Sequence, residues 1–198
     1  SPMLDWHAAV HQLDCVREVH IVATGNECKE LLLVCSSEQI GDGNVCCVNN
    51  GQRLVFPMET TPNTGLKTSQ EIHIEDFLYE PNAAVMKGGC FGMLCEKYKV
   101  VALGHDSHLF TSPIMIDDFP GRRFRIKAVS SFNKKELNRN LGNIKQANIA
   151  VRHFPLSANE LRKRLKLRDG GDTYLFATTF QPSSTSRKER ILMITEKA

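Results

Sequence analysis

The sequence predicts a mixed α/β (α+β) fold, with a β-rich N-terminal portion and a C-terminal β-α-β-α-β-β module. Three observations carry this reading. Up to about residue 57, short apolar runs are separated by turn signals such as Gly25-Asn26 and Asn50-Gly51. From residue 115 on, strand-type runs alternate with helix-type runs, each of the latter opening on a capping residue. The charge divides in the same place: residues 1–114 hold 7 Lys+Arg against 14 Asp+Glu, net −7, and residues 115–198 hold 18 against 8, net +10. Such a split points to two modules, the basic one facing a polyanion. The plain alternative is that both are solvated faces that favour solubility.

With 198 residues, 41% hydrophobic and 24% charged, the chain is neither disordered nor fibrous, and its length allows one domain or two small ones. No apolar run approaches the ~20 residues of a membrane-spanning helix, so no membrane partner is expected. The start, Ser1-Pro2-Met3-Leu4-Asp5, lacks the basic region and apolar core of a signal peptide, which suggests an internal piece of a longer protein. Seven cysteines, an odd number and all in the acidic half, argue for a reducing cytoplasmic setting rather than a disulfide framework.

In chain order, residues 4–13 place Trp6, Val10 and Leu13 on one helical stripe, and Val16 to Thr24 alternates as a strand. Leu31 to Cys35 reads as a wholly apolar strand, and Asn44–Asn49 and Gln52–Pro57 as a hairpin turning at Asn50-Gly51. Residues 58–70 read as a loop. Phe77 to Glu80 leads into Pro81, which suits the first position of a helix running to about Tyr98. Gly88-Gly89 inside that helix costs about 1 kcal/mol per glycine relative to alanine, so a close backbone neighbour is expected there. Val100 to Leu103 and Leu109 to Thr111 read as short strands. Beyond them, strands are expected over Phe124–Val129, Ala147–Phe154, Tyr174–Phe180 and Arg190–Thr195. Capping boxes Asn133/Glu136 and Ser157/Glu160 open the two intervening helices, with Leu137, Leu141, Ile144 and then Leu161, Leu165 inward.

The basic half holds the candidate binding residues. At 100° per residue, Arg162, Lys163 and Lys166 oppose Leu161 and Leu165, and Lys135 and Arg139 oppose Leu137 and Leu141. Arg122, Arg123, Arg125 and Lys127 add charge along the first strand of the module, and Arg152 stands in the second. Lys and Arg neutralise phosphates and release condensed counterions, giving nucleic-acid affinity without sequence reading. A solvated helix face explains any one of these residues; the ensemble favours a polyanion. The aromatic residues fall on strand faces suited to core packing, and the RRM aromatic signature is absent, so structured RNA read by shape is favoured over base readout.

Other constellations carry less. His7 and His11 stand at i, i+4 without an evident third ligand, and His105, Asp106 and His108 fit an ordinary loop, so neither metal nor catalytic residues are assigned. Gly41-Asp42-Gly43 reads as a turn rather than a phosphate cradle, and no Gly-x-Gly-x-x-Gly or P-loop occurs. No cofactor is therefore expected to bind this chain alone.

Several segments resemble a known family: Ser1-Pro2-Met3-Leu4-Asp5, Val16-Arg17-Glu18-Val19-His20-Ile21-Val22 and Asn26-Glu27-Cys28-Lys29-Glu30-Leu31-Leu32. Tyr79-Glu80-Pro81-Asn82-Ala83-Ala84-Val85-Met86-Lys87 and Asp118-Phe119-Pro120-Gly121-Arg122 follow, then Ala147-Asn148-Ile149-Ala150-Val151-Arg152, Leu156-Ser157-Ala158-Asn159-Glu160-Leu161 and Asp169-Gly170-Gly171-Asp172. In this order they resemble class I S-adenosylmethionine-dependent methyltransferases that end in a ferredoxin-like segment and a THUMP-like domain. The resemblance implies a C-terminal remnant of a methyltransferase domain over 1–75, a ferredoxin-like segment over 76–114 and a basic THUMP-like domain over 115–198. It further implies RNA binding by the last domain, with S-adenosylmethionine held in the parent protein by a methyltransferase domain N-terminal to this piece. The piece alone is then expected to be inactive. Glu80, Pro81 and Asn82 could face substrate through the free N–H groups of a helix start, although a Pro at the first position with Asn near the cap explains the same residues and is the favoured reading. Two rival readings stand beside this one: a non-catalytic module docking on an acidic protein, and a methyltransferase of a non-RNA substrate.

Overall fold

The computed structural model describes residues 3–37, 43–61, 63–183 and 185–198, and among them forms two sheets and five helices. The first sheet has the order β2-β1-β3-β4, from β1 (Val16–Thr24), β2 (Glu27–Cys35), β3 (Asn44–Asn49) and β4 (Gln52–Pro57). β1 runs antiparallel to β2 and parallel to β3. Both hairpin turns need two residues at positive φ: Gly25 and Asn26 at 60° and 62°, Asn50 and Gly51 at 48° and 87°. Asn-Gly and Gly-Asn supply that conformation at little steric cost.

The alternation of β1 buries Val19, Ile21 and Ala23, as the sequence pattern requires. β2 differs from expectation. It starts four residues earlier, at Glu27, and only its Leu31 is fully buried, while Leu32 and Val34 are 49% and 45% exposed. The run is apolar on both faces but stands at a sheet edge with one face open. α1 (Trp6–Gln12) is capped by Asp5, whose side chain accepts from the His7 N–H, and buries Trp6 and Ala9. The expected stripe stops short of Leu13, which lies past the helix end and is 44% exposed. Of the turn expected at Gly41-Asp42-Gly43, the first two residues lie outside the described residues.

The second sheet has the order β6-β7-β5-β8-β11-β10-β9. Its strands are β5 (Phe77–Pro81), β6 (Val101–Ala102), β7 (Phe110–Ser112), β8 (Gly121–Ser131), β9 (Asn148–Arg152), β10 (Thr173–Phe180) and β11 (Glu189–Lys197). Pro81 ends a strand and does not open a helix. Asn82, in extended conformation, is the cap of α2 (Ala83–Gly88), and Gly89 at φ 73° closes it in the left-handed region. The single helix expected to run to Tyr98 is therefore two, the second being α3 (Phe91–Tyr98). Gly88 has a close neighbour, but side chains rather than the backbone expected: a Cβ there would stand 2.7 Å from the Cys47 sulfur and 3.3 Å from the Phe56 ring.

From β8 onward the order is β8, α4 (Lys134–Leu141), β9, α5 (Ala158–Leu165), β10, β11, the β-α-β-α-β-β sequence expected. Ser157 and Glu160 form the complete capping box of α5. At α4 the reciprocal half is missing: Asn133 accepts from Lys135 N–H, but the Glu136 carboxylate turns back to the Ser131 N–H instead. β9 and β10 are parallel, β10 is antiparallel to β11, and β11 to β8, so β8, β9 and β10 all run one way.

Three apolar clusters hold these layers. The first packs the inner face of the four-stranded sheet, around Val19, Ile21, Leu54 and Phe56, against α1, α2, α3 and one face of β5. The second and third lie on opposite faces of the β8–β11 region. Leu78, Phe124, Phe176 and Met193 pack with Leu103 and Leu109 from the β6–β7 connection, and Leu175, Leu192 and Ile194 pack under Leu141 and Leu161 of α4 and α5. β5, buried along its whole length, serves both the first cluster and the second. It pairs with β8 from Pro81↔Gly121 to Phe77↔Arg125, so one sheet runs through both C-terminal segments.

Candidate nucleic-acid interface

Glu80 is 1% exposed, yet carries a charge that β5 places on the face of the second cluster. Its Oε2 accepts from Arg122 Nε at 2.8 Å and also from Arg122 Nη2, and its Oε1 accepts from Arg152 Nη2 at 2.6 Å. Arg122 is the cross-strand partner of Glu80, so that bond is local to the ladder. Arg152 is not: β8, β11 and β10 stand between β5 and β9, a span of about 19 Å in a flat sheet. The bond forms because the sheet coils on itself through strand twist, which brings its distant strands together. Glu80 is thus an internal clamp between β5 and β9.

Pro81 and Asn82 are equally buried. At the start of α2, Val85 N–H donates to Asn82 Oδ1 at 3.1 Å and Ala83 N–H to Asn26 Oδ1 at 2.7 Å, while the Asn82 amide donates to Gln52 Oε1 at 3.2 Å. Asn26 comes from the β1–β2 turn, itself held by Asn49 and Asn50. These amides lock the two hairpin tips onto α2 and occupy two of the N–H groups at its start, those of Ala83 and Val85.

The basic residues divide sharply. Arg123 pairs with Asp117 at 2.9 Å and donates to the Asp117 carbonyl. Arg125 pairs with Glu75 at 3.3 Å and lies 4.5 Å over the Phe77 ring. Lys127 reaches both Glu75 and Glu196, at 3.3 and 2.9 Å; the carboxyl of Glu75 is held below its ordinary range by hydrogen bonds from Lys127 and Arg125. Arg162, expected on the solvent side, turns inward to the Ala147 carbonyl at 2.9 Å and pairs with Asp169 at 2.6 Å. It thereby ties the last turn of α5 to the start of β9. Arg122 and Arg152 serve Glu80. Of the ten expected contacts, Lys135, Arg139, Lys163 and Lys166 remain without such a bond. Arg139 and Lys163 each feel the carboxylate one turn earlier, Glu136 and Glu160, while Lys135 and Lys166 are exposed and have no ion pair or side-chain hydrogen bond among the described residues.

Three further cations, which the helix-face argument missed, gather where β8, β9 and β10 end and β11 begins. Arg187, Lys188 and Arg190 are exposed and have no carboxylate or hydrogen-bond partner for their side chains among the described residues. Lys188 and Arg190 line two open clefts. One, of about 470 Å³, is completed by His153, Phe154, Pro155 and Thr179; the other, of about 510 Å³, is completed by Arg187, Ser131, Ile191 and the exposed Glu189, whose carboxylate pairs with no cation among the described residues. The carboxyl ends of like-directed strands are where open α/β sheets bind ligands, because helices begin there and the loops diverge. The sequence signal was the local density of Arg187-Lys188-x-Arg190. His153, at φ 46°, lies 3.9 Å from Asp106, and His108 stacks on Phe91 with centroids 4.2 Å apart. Burial pushes the His108 imidazole down, so it is neutral near pH 7. Among the described residues no cluster of His, Cys, Asp or Glu could hold a metal ion, and no helix is long and apolar enough to cross a membrane.

Two family models match the chain: a ferredoxin-like domain over residues 77–120 and a THUMP domain-like family over residues 121–197. A solved structure described as "putative methyltransferase from Porphyromonas gingivalis W83" is similar over 100% of this chain and 50% of its own, at 30% identity and a TM-score of 0.88. The chain thus spans about half the length of that protein. No curated protein matches.

Proposed function

From a chain that carries a ferredoxin-like domain followed by a THUMP domain-like domain, we propose the RNA-binding half of an S-adenosylmethionine-dependent RNA methyltransferase. The observation that carries this reading is the cluster Arg187, Lys188 and Arg190, three exposed cations around one Glu189, without an ion pair among the described residues and flanking open clefts at the strand ends of the THUMP-like domain. Lys135, Arg139, Lys163 and Lys166 extend the same positive field along α4 and α5. Backbone phosphates are the ligand that suits such groups, and counterion release supplies the affinity. The likeness to half of a protein described as a methyltransferase supports the enzymatic context, and the free thiols of the seven cysteines suit a reducing cytoplasm.

The residues of this chain do not fit the methyl donor. Among the described residues, the positive-φ glycines lie in hairpin turns, loops and a helix end, not in a loop leading from a strand into a helix, and the Asn82 cap and Asn26 occupy N–H groups at the start of α2. The donor is accordingly assigned to the remainder of the longer protein, and no chemical step is assigned to this chain.

Filter binding of the full chain to a hairpin RNA tests the reading. Retention at low salt, with log affinity falling linearly against log salt, is expected. Replacing Lys188 and Arg190 together by Ala should weaken binding and make the salt slope shallower by about 2. Absence of retention at low salt removes the basis of the RNA assignment.

A further inference from the structure

The two helices of the C-terminal domain do not close over their own core. Between α4 and α5 lies a groove of about 560 Å³ whose floor is apolar. Leu141 is fully buried, but Phe132, Leu137, Ile144 and Leu165 remain half-exposed, although all belong to or pack against the third cluster. Around this floor stand Lys134, Lys145, Arg164 and Lys166, exposed and with no ion pair or side-chain hydrogen bond among the described residues. Among the described residues no carboxylate lines the groove. The carboxylates of the two helices are held elsewhere, Glu136 by the Ser131 N–H ahead of α4 and Glu160 in the capping box with Ser157.

An apolar trough with a one-signed rim sets two requirements for whatever covers it. The floor, three aliphatic side chains and one phenyl ring among its half-exposed members, asks for aliphatic side chains; it offers little of the flat aromatic surface on which bases stack. The rim asks for carboxylates on both flanks. A single element meets both when leucines recur at i, i+3, i+4 and i+7 with Asp or Glu elsewhere, and two flanking helices form the kind of groove into which a third helix lies. We propose that the α4–α5 groove docks an acidic, leucine-bearing amphipathic helix of a protein partner. The leucines seat on Leu137, Ile144 and Leu165, and the acidic flanks meet Lys134, Lys145, Arg164 and Lys166. This surface is distinct from the Arg187, Lys188 and Arg190 clefts at the strand ends, and the docking does not depend on the RNA assignment.

The test uses the full chain and a fluorescein-labelled synthetic helix of Leu and Glu in this pattern, followed by anisotropy, with a Leu–Lys helix of the same pattern as control. The Leu–Glu helix is expected to saturate the protein and the Leu–Lys helix is not. A Lys145→Glu/Arg164→Glu variant, changed only at exposed positions and verified by circular dichroism, should bind at least about tenfold more weakly. The Lys188→Ala/Arg190→Ala variant should bind the helix unchanged. No binding of the Leu–Glu helix, equal binding of both helices, or indifference to the charge reversal each overturns the proposal. So does displacement of the bound helix by a hairpin RNA accompanied by loss of RNA binding in the Lys145→Glu/Arg164→Glu variant, which would assign the groove to RNA.

Discussion

Arg122, Arg123, Arg125 and Lys127 on β8 each hold a carboxylate brought from a neighbouring segment, whereas Arg187, Lys188 and Arg190 at the entry to β11 hold none. Both sets are dense runs of Lys and Arg in the same domain. The first lies on an interior strand, flanked on one side by β5 and on the other by β11, so acidic residues of the adjoining chain fall within reach. The second stands at the start of β11, beside the ends of β8, β9 and β10, with the exposed Glu189 between Lys188 and Arg190. Among the described residues, positive charge is structural where an acidic residue of another segment comes within reach, as at Arg122 and at Arg152 of the edge strand β9, and available where none does.

The strongest way to break this comparison is to remove the carboxylate that Arg122 of the first set shares with Arg152 of β9. Glu80→Gln should lower unfolding free energy by about 2–4 kcal/mol in urea titration, less than a fully buried pair because both guanidiniums keep contact with water. A variant as stable as the parent would reduce the clamp to a surface feature. Gly121→Ala tests the same junction through the backbone, since a Cβ there would stand 2.1 Å from the Glu80 carbonyl oxygen. A loss of about 3 kcal/mol is expected, read as a shifted denaturation midpoint at unchanged slope.

The two halves also differ in their response to alkali, because every cysteine lies in the first. Burial pushes the Cys90 thiol from 9.0 up to about 12, and Cys47 is raised in the same direction. A raised thiol holds its proton longer folded than unfolded, so its contribution is complete below pH 9 and declines as pH climbs towards 12. Stability measured by urea titration should therefore fall over that window, and Cys47→Ala should flatten the fall. The smallest effect is expected at Lys127, whose pairs with Glu75 and Glu196 are solvent-exposed. Lys127→Ala should shift the midpoint only slightly, and less still in high salt.

Much of the architecture was legible from local pattern. The alternation of β1, the Asn50-Gly51 hairpin, the Ser157/Glu160 box and the β-α-β-α-β-β order all rest on interactions within a few residues, which sequence spacing encodes directly. Pro81 was misread because two local rules compete there. Proline suits a first helical position, but Asn82 is the better cap and Phe77 to Pro81 completes a ladder with a strand some forty residues away. The site was less legible than the fold. Helical angle turned Lys163 outward, but Lys166 lies past the end of α5 in the left-handed region and lines the same groove as Leu165. Nor could the angle show that Arg162 reaches the Ala147 carbonyl, because that acceptor belongs to another element.

What the sequence by itself determined is the position of the turns, the capping of the helices, the periodicity of buried side chains and the migration of positive charge to the C-terminal half. Those follow from backbone conformational preference and from composition. Only the tertiary structure decided which cations are spoken for, because an ion pair is settled by distance in space. Coiling of the second sheet brings Arg152 on β9 to Glu80 on β5 across three intervening strands, while at the start of β11 Lys188 and Arg190 meet no ion pair or side-chain hydrogen bond among the described residues.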